Sequence, residues 1–368
     1  MAGGFSGTIL TSSDGIKWNK RKSGTKQSLY GVAYGNNTFV TVGKKGTIYS
    51  SSDGKNWTRR KSRTSVEFNE VIYENSTFVA FGNNGTIRTS SDGTTWTSRT
   101  SGTSNNLRSF AFDGSSTGVV VGYSGTVLTS TDGITWTSRT SGTSKNLNNV
   151  GYGNSKFIAV GDNGTTLHSS DGITWTDWTS SCGANDNESL WDVAYGNSTW
   201  VAVGDNGSIY TSDESSCTKR TSGTTVEFNE LYYGNSTFVA LGDNGTILSS
   251  TDGITWTART SGTTDSLYSG TYGNSNFVAV GAWGNLLTAS DATSTWTSNR
   301  TYTQDATSTT SVNTHLYGIA FGNSIWVMVG QSGNIYTTSD GTISTSMVVT
   351  SRTSGTTVNL RRVFYVDL

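Results

Sequence analysis

Residues 190–224 read LWDVAYGNSTWVAVGDNGSIYTSDESSCTKRTSGT, and the fold follows from how this stretch divides. Four short runs with β character are separated by Gly, Asn, Asp and Ser, the residues that favour tight turns. They are LWDVAYG, TWVAVG, GSIYTS and a last run ending TKRTSGT. The second and third meet at GDNGS, where Asn-Gly supplies the positive φ angles of a hairpin. No segment has helical periodicity. Four strands per unit is the size of a propeller blade.

The unit recurs. Its most regular marker is a seven-residue box, SSDGITW at residues 169–175, with further copies ending at Trp18, Trp57, Trp96, Trp136 and Trp256. Three copies are damaged: TSDESSC at Cys217, SDATSTW at Trp296 and TSDGTIS at Ser344. The box aspartates are Asp14, Asp53, Asp92, Asp132, Asp171, Asp213, Asp252, Asp291 and Asp340, spaced by 39, 39, 40, 39, 42, 39, 39 and 49 residues. A period of that size means stacked supersecondary units that share a core. Between strands three and four, a short carboxylate can accept backbone N–H groups while the glycine takes a conformation others avoid. The Trp then covers the end of the blade, so each box is expected to clamp one hairpin.

These boxes resemble the Asp-box family, the sialidase-like or BNR-repeat β-propellers, whose usual motif is Ser-x-Asp-x-Gly-x-Thr-Trp. The copies here lack one residue between Asp and Gly. The resemblance covers nearly the whole chain and implies a structural role for Asp14, Trp18, Asp53, Trp57, Asp92, Trp96, Asp132, Trp136, Asp171, Trp175, Asp252 and Trp256, on the face away from any active site. It specifies fold far better than function.

The ends of the chain complement each other. LRRVFYVDL, residues 360–368, reads as a first strand with nothing after it, while residues 1–4 align with the end of a second strand and lead into GTILTSSDGIKW. A single closed domain is therefore expected over residues 1–368: eight complete repeats of about 39–49 residues plus one blade shared between residues 1–25 and 360–368. Closure removes the sheet edges an open array would expose. Nine blades are expected, with an eight-bladed ring and a displaced terminal segment as the alternative. Residues 299–314 read as an expanded loop rather than a tenth blade, and residues 180–189 as a smaller insertion.

Charged residues make up 14% of the chain against roughly 25% in typical soluble proteins, and there is no proline. A weakly charged polar chain can be disordered, but 12 Trp, 16 Tyr and 13 Phe at fixed places provide apolar area to bury. A net charge of -1 offers no field to attract nucleic acid or an anionic membrane. No apolar run approaches the ~20 residues of a spanning helix, and no basic region followed by an apolar one opens the chain. Membrane insertion and the usual secretory route are not expected, and the mature chain is expected to start near Met1.

Little here reads as catalysis. The two histidines, His168 and His315, lie 147 residues apart, which disfavours a histidine metal site or triad. Cys182 follows a fourth strand and Cys217 replaces a box Trp, places on opposite faces of a propeller, so free thiols are expected. Arg99, Arg139, Arg220, Arg259 and Arg352 recur in RTSGT at one outer-strand position, which reads as edge protection and pairing between blades. A sialidase would need clustered arginines and an Arg-Ile-Pro motif, and the chain has no proline. The carboxylates in VEFNE, Glu67 with Glu70 and Glu227 with Glu230, lack a neighbour that would set an acid against a base. Asn-x-Thr/Ser triplets, such as those at Asn75 and Asn244, are read as turn chemistry at the second-to-third hairpins rather than glycosylation. No cofactor and no metal are expected.

A fixed frame with variable tips is how a scaffold carries a binding surface. One variable set follows the first-strand Leu or Phe: Tyr30, Asn69, Arg108, Asn148, Trp191, Asn229, Tyr268, Tyr317 and Arg361. The other occupies the second-to-third hairpin: Phe5, Lys44, Asn83, Tyr123, Asp162, Asp205, Asp243, Trp283 and Gln331. Both are expected on the face opposite the boxes, the first near the central channel and the second farther out. The expected binding residues are Tyr30, Arg108, Trp191, Tyr268, Tyr317, Arg361, Tyr123, Trp283 and Phe5, and inter-blade packing is the alternative for each. Rings interleaved with Asn, Asp and Arg suit sugars or a protein partner.

The sequence therefore reads as a non-enzymatic binding or structural propeller, exposed on a virus particle such as a phage tail or capsid, where a low-charge Ser/Thr/Asn/Gly-rich surface meets the outside without export. Other virion proteins are then among its expected partners. Two alternatives stand: an assembly or adhesion factor resembling the photosystem II assembly-factor propellers, and a sialidase-like glycoside hydrolase.

Overall fold

The structure is a computed structural model, and it describes all residues except 15, 180–181, 183–187, 214–215, 299–300, 305–307, 312–313, 339–348 and 364–368. The chain is an all-β propeller of nine antiparallel blades, one of them split between the termini. Eight blades are four-stranded. The split blade pairs Leu360–Val363 with Ala2–Gly4, followed by Ile9–Thr11 and Asn19–Arg21. Of the residues expected to supply its first strand, 364–368 lie outside the described residues.

Two compact units divide the blades. Residues 29–221 hold five, and residues 1–28 with 222–368 hold four, including the split one. The blade at residues 147–177 shows the common plan. Its strands are Leu147–Gly153, Lys156–Gly161, Thr166–Ser169 and Thr176–Asp177. The second strand is almost wholly buried because both of its faces meet neighbouring sheets, and its sequence, FIAVG, is correspondingly apolar without alternation. The outer strand is two to four residues long and exposed, so it keeps the sheet edge short.

The core lies between consecutive blades. Val119, Val121 and Val127 of one blade pack on Leu147, Val150, Phe157 and Leu167 of the next. The same pattern joins Val239, Leu241 and Ile247 to Leu267, Phe277 and Leu287.

Two insertions depart from expectation. Residues 299–314 are not a tenth blade, but they are more than a loop. Thr301–Gln304 and Ser308–Ser311 form a hairpin whose inner strand pairs in parallel with Val349–Arg352, widening that blade to six strands. Nor are the cysteines free: Cys182 and Cys217 form a disulfide with their Cα atoms 4.5 Å apart. The expected separation fails because the fourth strand before Cys182 ends at Asp177, and Cys182 is held close to that end, its N–H donating to the Trp178 carbonyl at 2.9 Å. Cys182 thereby meets Cys217, which stands in the place of a box Trp.

Candidate functional site

At one end of each blade lie the boxes. Asp132 Oδ1 accepts the backbone N–H groups of Ile134 and Thr135, both at 2.7 Å, and the Ser130 hydroxyl at 3.0 Å. Partial burial pulls the Asp132 carboxyl upward, but these donors outweigh it and hold it at about 2. Asp14, Asp53, Asp92, Asp171 and Asp252 are bonded the same way and lie below the ordinary carboxylate range. The indole N–H groups of Trp57, Trp96, Trp136, Trp175 and Trp256 each donate to the box glycine carbonyl three residues back. Gly172 has φ +69°, and a Cβ there would come within 2.9 Å of Val119 in the preceding blade. The carboxylates are spent on their own turns.

The damaged boxes keep part of this clamp. Asp213 still accepts the Ser216 N–H, and Asp291 the Thr293 N–H. Trp296 stays buried, yet its indole N–H has no partner, because an extra residue separates it from Ala292, which replaces the glycine. Asp340 and Ser344 lie outside the described residues.

The recurrent arginines turn inward on their own sheets. Arg99 Nε donates to Thr89 Oγ1 at 2.7 Å, and Arg139, Arg220, Arg259 and Arg352 do the same to the third-strand hydroxyl beside them. One also crosses between blades, Arg259 Nη1 donating to the Thr293 carbonyl at 2.6 Å. They bind the short outer strand to its neighbour. His168 stacks on Trp178 at 3.7 Å, and among the described residues no cluster of His, Cys, Asp and Glu could hold a metal. The triplet turns split between the two ends. Asn244 sits at the second-to-third hairpin as expected, but Asn75 lies in the first-to-second hairpin at the box end.

At the opposite blade ends the two variable sets meet. They are not separate inner and outer zones, because in most blades the first-strand residue touches the hairpin of its own blade. Asn148 Nδ2 donates to Asp162 Oδ1 at 3.0 Å, and Asn229 Nδ2 to Asp243 Oδ1 at 3.1 Å. Trp191 Nε1 donates to Asp205 Oδ1 at 2.6 Å. The Arg108 guanidinium lies 5.3 Å from the Tyr123 ring centre and donates to its hydroxyl, and Arg361 lies 4.9 Å from the Phe5 ring centre. The asparagines also bridge blades: Asn69, Asn148 and Asn229 each donate to the carbonyl that begins the next blade's first strand. Much of the variation is thus matched pairing within the protein. Tyr30 is half-buried at the equivalent place.

One hairpin breaks the pattern. The tip runs Gly-x-x-Gly, and its third position has positive φ in every described blade, filled by Ser6, Lys45, Asn84, Ser124, Asn163, Asn206, Asn244, Trp283 and Ser332. Trp283 therefore aligns with Asn163, one residue later than Asp162, its expected equivalent; the frame Gly281-Ala282-Trp283-Gly284 already carried that register. A bulky side chain at φ +53° is strained by roughly 1–2 kcal/mol. Trp283 is also 51% exposed, more than any other large apolar side chain described.

Its neighbour is a residue the sequence reading set aside. Elsewhere an Asn just before the next blade's first strand accepts this tip residue's N–H: Asn106 from Asn84, Asn146 from Ser124, Asn359 from Ser332. At the corresponding place after Trp283 stands His315, whose Nδ1 has no hydrogen-bond partner. The imidazole centre is 5.0 Å from that of Trp283, 6.1 Å from Tyr268 and 6.0 Å from Tyr317, and the two Tyr rings are 5.9 Å apart. Tyr268, Trp283, His315 and Tyr317 form one aromatic cluster. The signal for His315 was its place before Leu316, where the other blades carry Asn, Ser or Glu.

No family model matches the sequence, and no curated relative matches it. Among solved structures, the computationally designed Ika8 protein is 13% identical, with a TM-score of 0.61 over 91% of this chain and 96% of that one. YCF48 bound to D1 peptide is 19% identical, with a TM-score of 0.49 over 72% and 88%. The WD40 β-propeller domain of Doa1 is 12% identical, with a TM-score of 0.48 over 80% and 92%. Likeness at these identities concerns the fold alone.

Proposed function

We propose that the chain is a non-enzymatic binding propeller, working as an exposed component of a virus particle, that recognises a glycan or protein partner through the hairpin ends of its blades. The observation that carries the reading is Trp283, a large apolar side chain held at positive φ and left half in solvent. Strain opposes folding and the exposed ring gains nothing for it, so a role in recognition supports their retention. The boxes support the division of labour, since their polar groups are consumed inside their own turns. Low surface charge and the Cys182–Cys217 bond suit an oxidising exterior setting. Of the VEFNE carboxylates, Glu70 is turned onto its own strand, its Oε1 accepting the N–H of Val71.

The test compares wild type with Trp283→Asn, which restores the residue of other blades, in attachment to a panel of intact cells. Attachment should weaken at least tenfold in the variant with its melting temperature unchanged. Equal attachment would overturn the reading, and so would turnover of labelled glycosides by the wild type.

A further inference from the structure

We propose that Trp283, His315, Tyr268 and Tyr317 form a stacking site for one neutral pyranose unit of a glycan. This rests on the binding function argued above and names its ligand class.

Two chain positions changed together here. At three other junctions the N–H of a small or amide tip residue is accepted by an Asn just before the next first strand: Asn84 by Asn106, Ser124 by Asn146 and Ser332 by Asn359. Trp283 and His315 replace such a pair with two rings, and His315 Nδ1 is left without a partner. A buried unsatisfied nitrogen and a strained Trp are each unfavourable for folding. The exchange yields a ring platform at one blade junction.

The platform has the size and chemistry of a sugar site. A pyranose presents a face of C–H groups that lies against an indole, and a rim of hydroxyls that needs donors and acceptors. Trp283 supplies the exposed ring. The phenols of Tyr268 and Tyr317, whose rings pack around His315, have no hydrogen-bond partner among the described residues and can serve the rim. Burial, and after it the neighbouring Tyr317, Asp243 and Asp265, push the Tyr268 hydroxyl pKa up. Asn285, which closes the turn that carries Trp283, donates from Nδ2 to Asp265 Oδ2 at 2.8 Å, and a carboxylate held at this turn favours a neutral sugar over a carboxylated one.

A protein partner fits less well. A stable interface buries about 800 Å² per partner around an apolar centre. Among the described residues the other exposed large apolar side chains, Ile16, Ile134, Ile173 and Ile254, all belong to boxes at the opposite blade ends. One indole matches a single sugar ring.

Calorimetric titration with neutral hexasaccharides of glucose, galactose and N-acetylglucosamine, and with sialylated and unsialylated lactose, tests the proposal on wild type and Trp283→Asn. At least one neutral sugar should bind, sialylation should not improve binding, and the variant should bind at least tenfold more weakly at unchanged melting temperature. Absence of binding to every neutral sugar, a preference for the sialylated one, or equal binding by the variant would overturn it. Cell attachment separates this failure from that of the wider reading. Trp283-dependent attachment that survives periodate but not protease would mean a protein ligand, overturning the sugar proposal while the binding function stands. Attachment and sugar binding that both ignore Trp283 would overturn both.

Discussion

The indole N–H of Trp191 donates to Asp205 Oδ1 at 2.6 Å, tying a first-strand residue to the hairpin of its own blade. Asn148 with Asp162 and Arg108 with Tyr123 repeat the relationship in different chemistry. Residues that differ between repeats are therefore coupled within them. A double-mutant cycle of Trp191→Phe and Asp205→Ala should show a coupling of about 0.5–3 kcal/mol, as for residues in direct contact. Additive effects would mean that the pair is incidental.

Box tryptophans should carry stability in proportion to burial. Trp96 is 5% exposed and packs on Phe78 with ring centres 6.4 Å apart, so Trp96→Ala should cost about 3–5 kcal/mol in chemical denaturation. Trp175 is only half-buried and should cost less, although its sequence gives the more regular box. A larger loss at Trp175 would contradict this ordering.

Acid should loosen the clamps. A carboxyl whose folded pKa is depressed contributes stability above its unfolded value of about 3.9, and that contribution is lost as pH falls through the folded value. For Asp132 the window runs from about 4 down to about 2. The other regular boxes shift in the same direction, so the melting temperature should fall steadily across that range. A flat profile between pH 4 and 2 would show that the boxes are not ionic clamps.

Reduction should act on one blade. Cys182 and Cys217 lie in a cluster with Trp200, Tyr210 and Leu190, where Cys217 stands in place of a box Trp. Closing a loop across 35 residues is worth about 2–4 kcal/mol. Intact-mass analysis should find no free thiol before reduction, and reductant should lower the melting temperature. Two alkylatable thiols in the untreated protein would contradict the bond.

The blade was legible because turn residues and box spacing repeat, and so was the split blade, because the two ends supply complementary strands. The disulfide was not. It depends on a fourth strand cut to two residues, and strand length cannot be read where the sequence stays Thr- and Asp-rich. The hairpin within residues 299–314 escaped for a related reason, since its Thr-rich strands lack the apolar alternation that marks a half-buried sheet. At the candidate site, Tyr268 and Tyr317 followed from repeat alignment. His315 did not, because its partner Trp283 was placed one position out of register.

The most direct measurement is an NMR titration that follows the indole N–H signals, with the Trp283 signal assigned by its loss in Trp283→Asn. On addition of a neutral oligosaccharide that binds, the Trp283 signal should move in step with occupancy, while those of Trp57, Trp96 and Trp136, bonded to their glycine carbonyls, stay in place. Movement of the box signals with Trp283 unmoved would put recognition at the opposite ends of the blades and contradict the central claim.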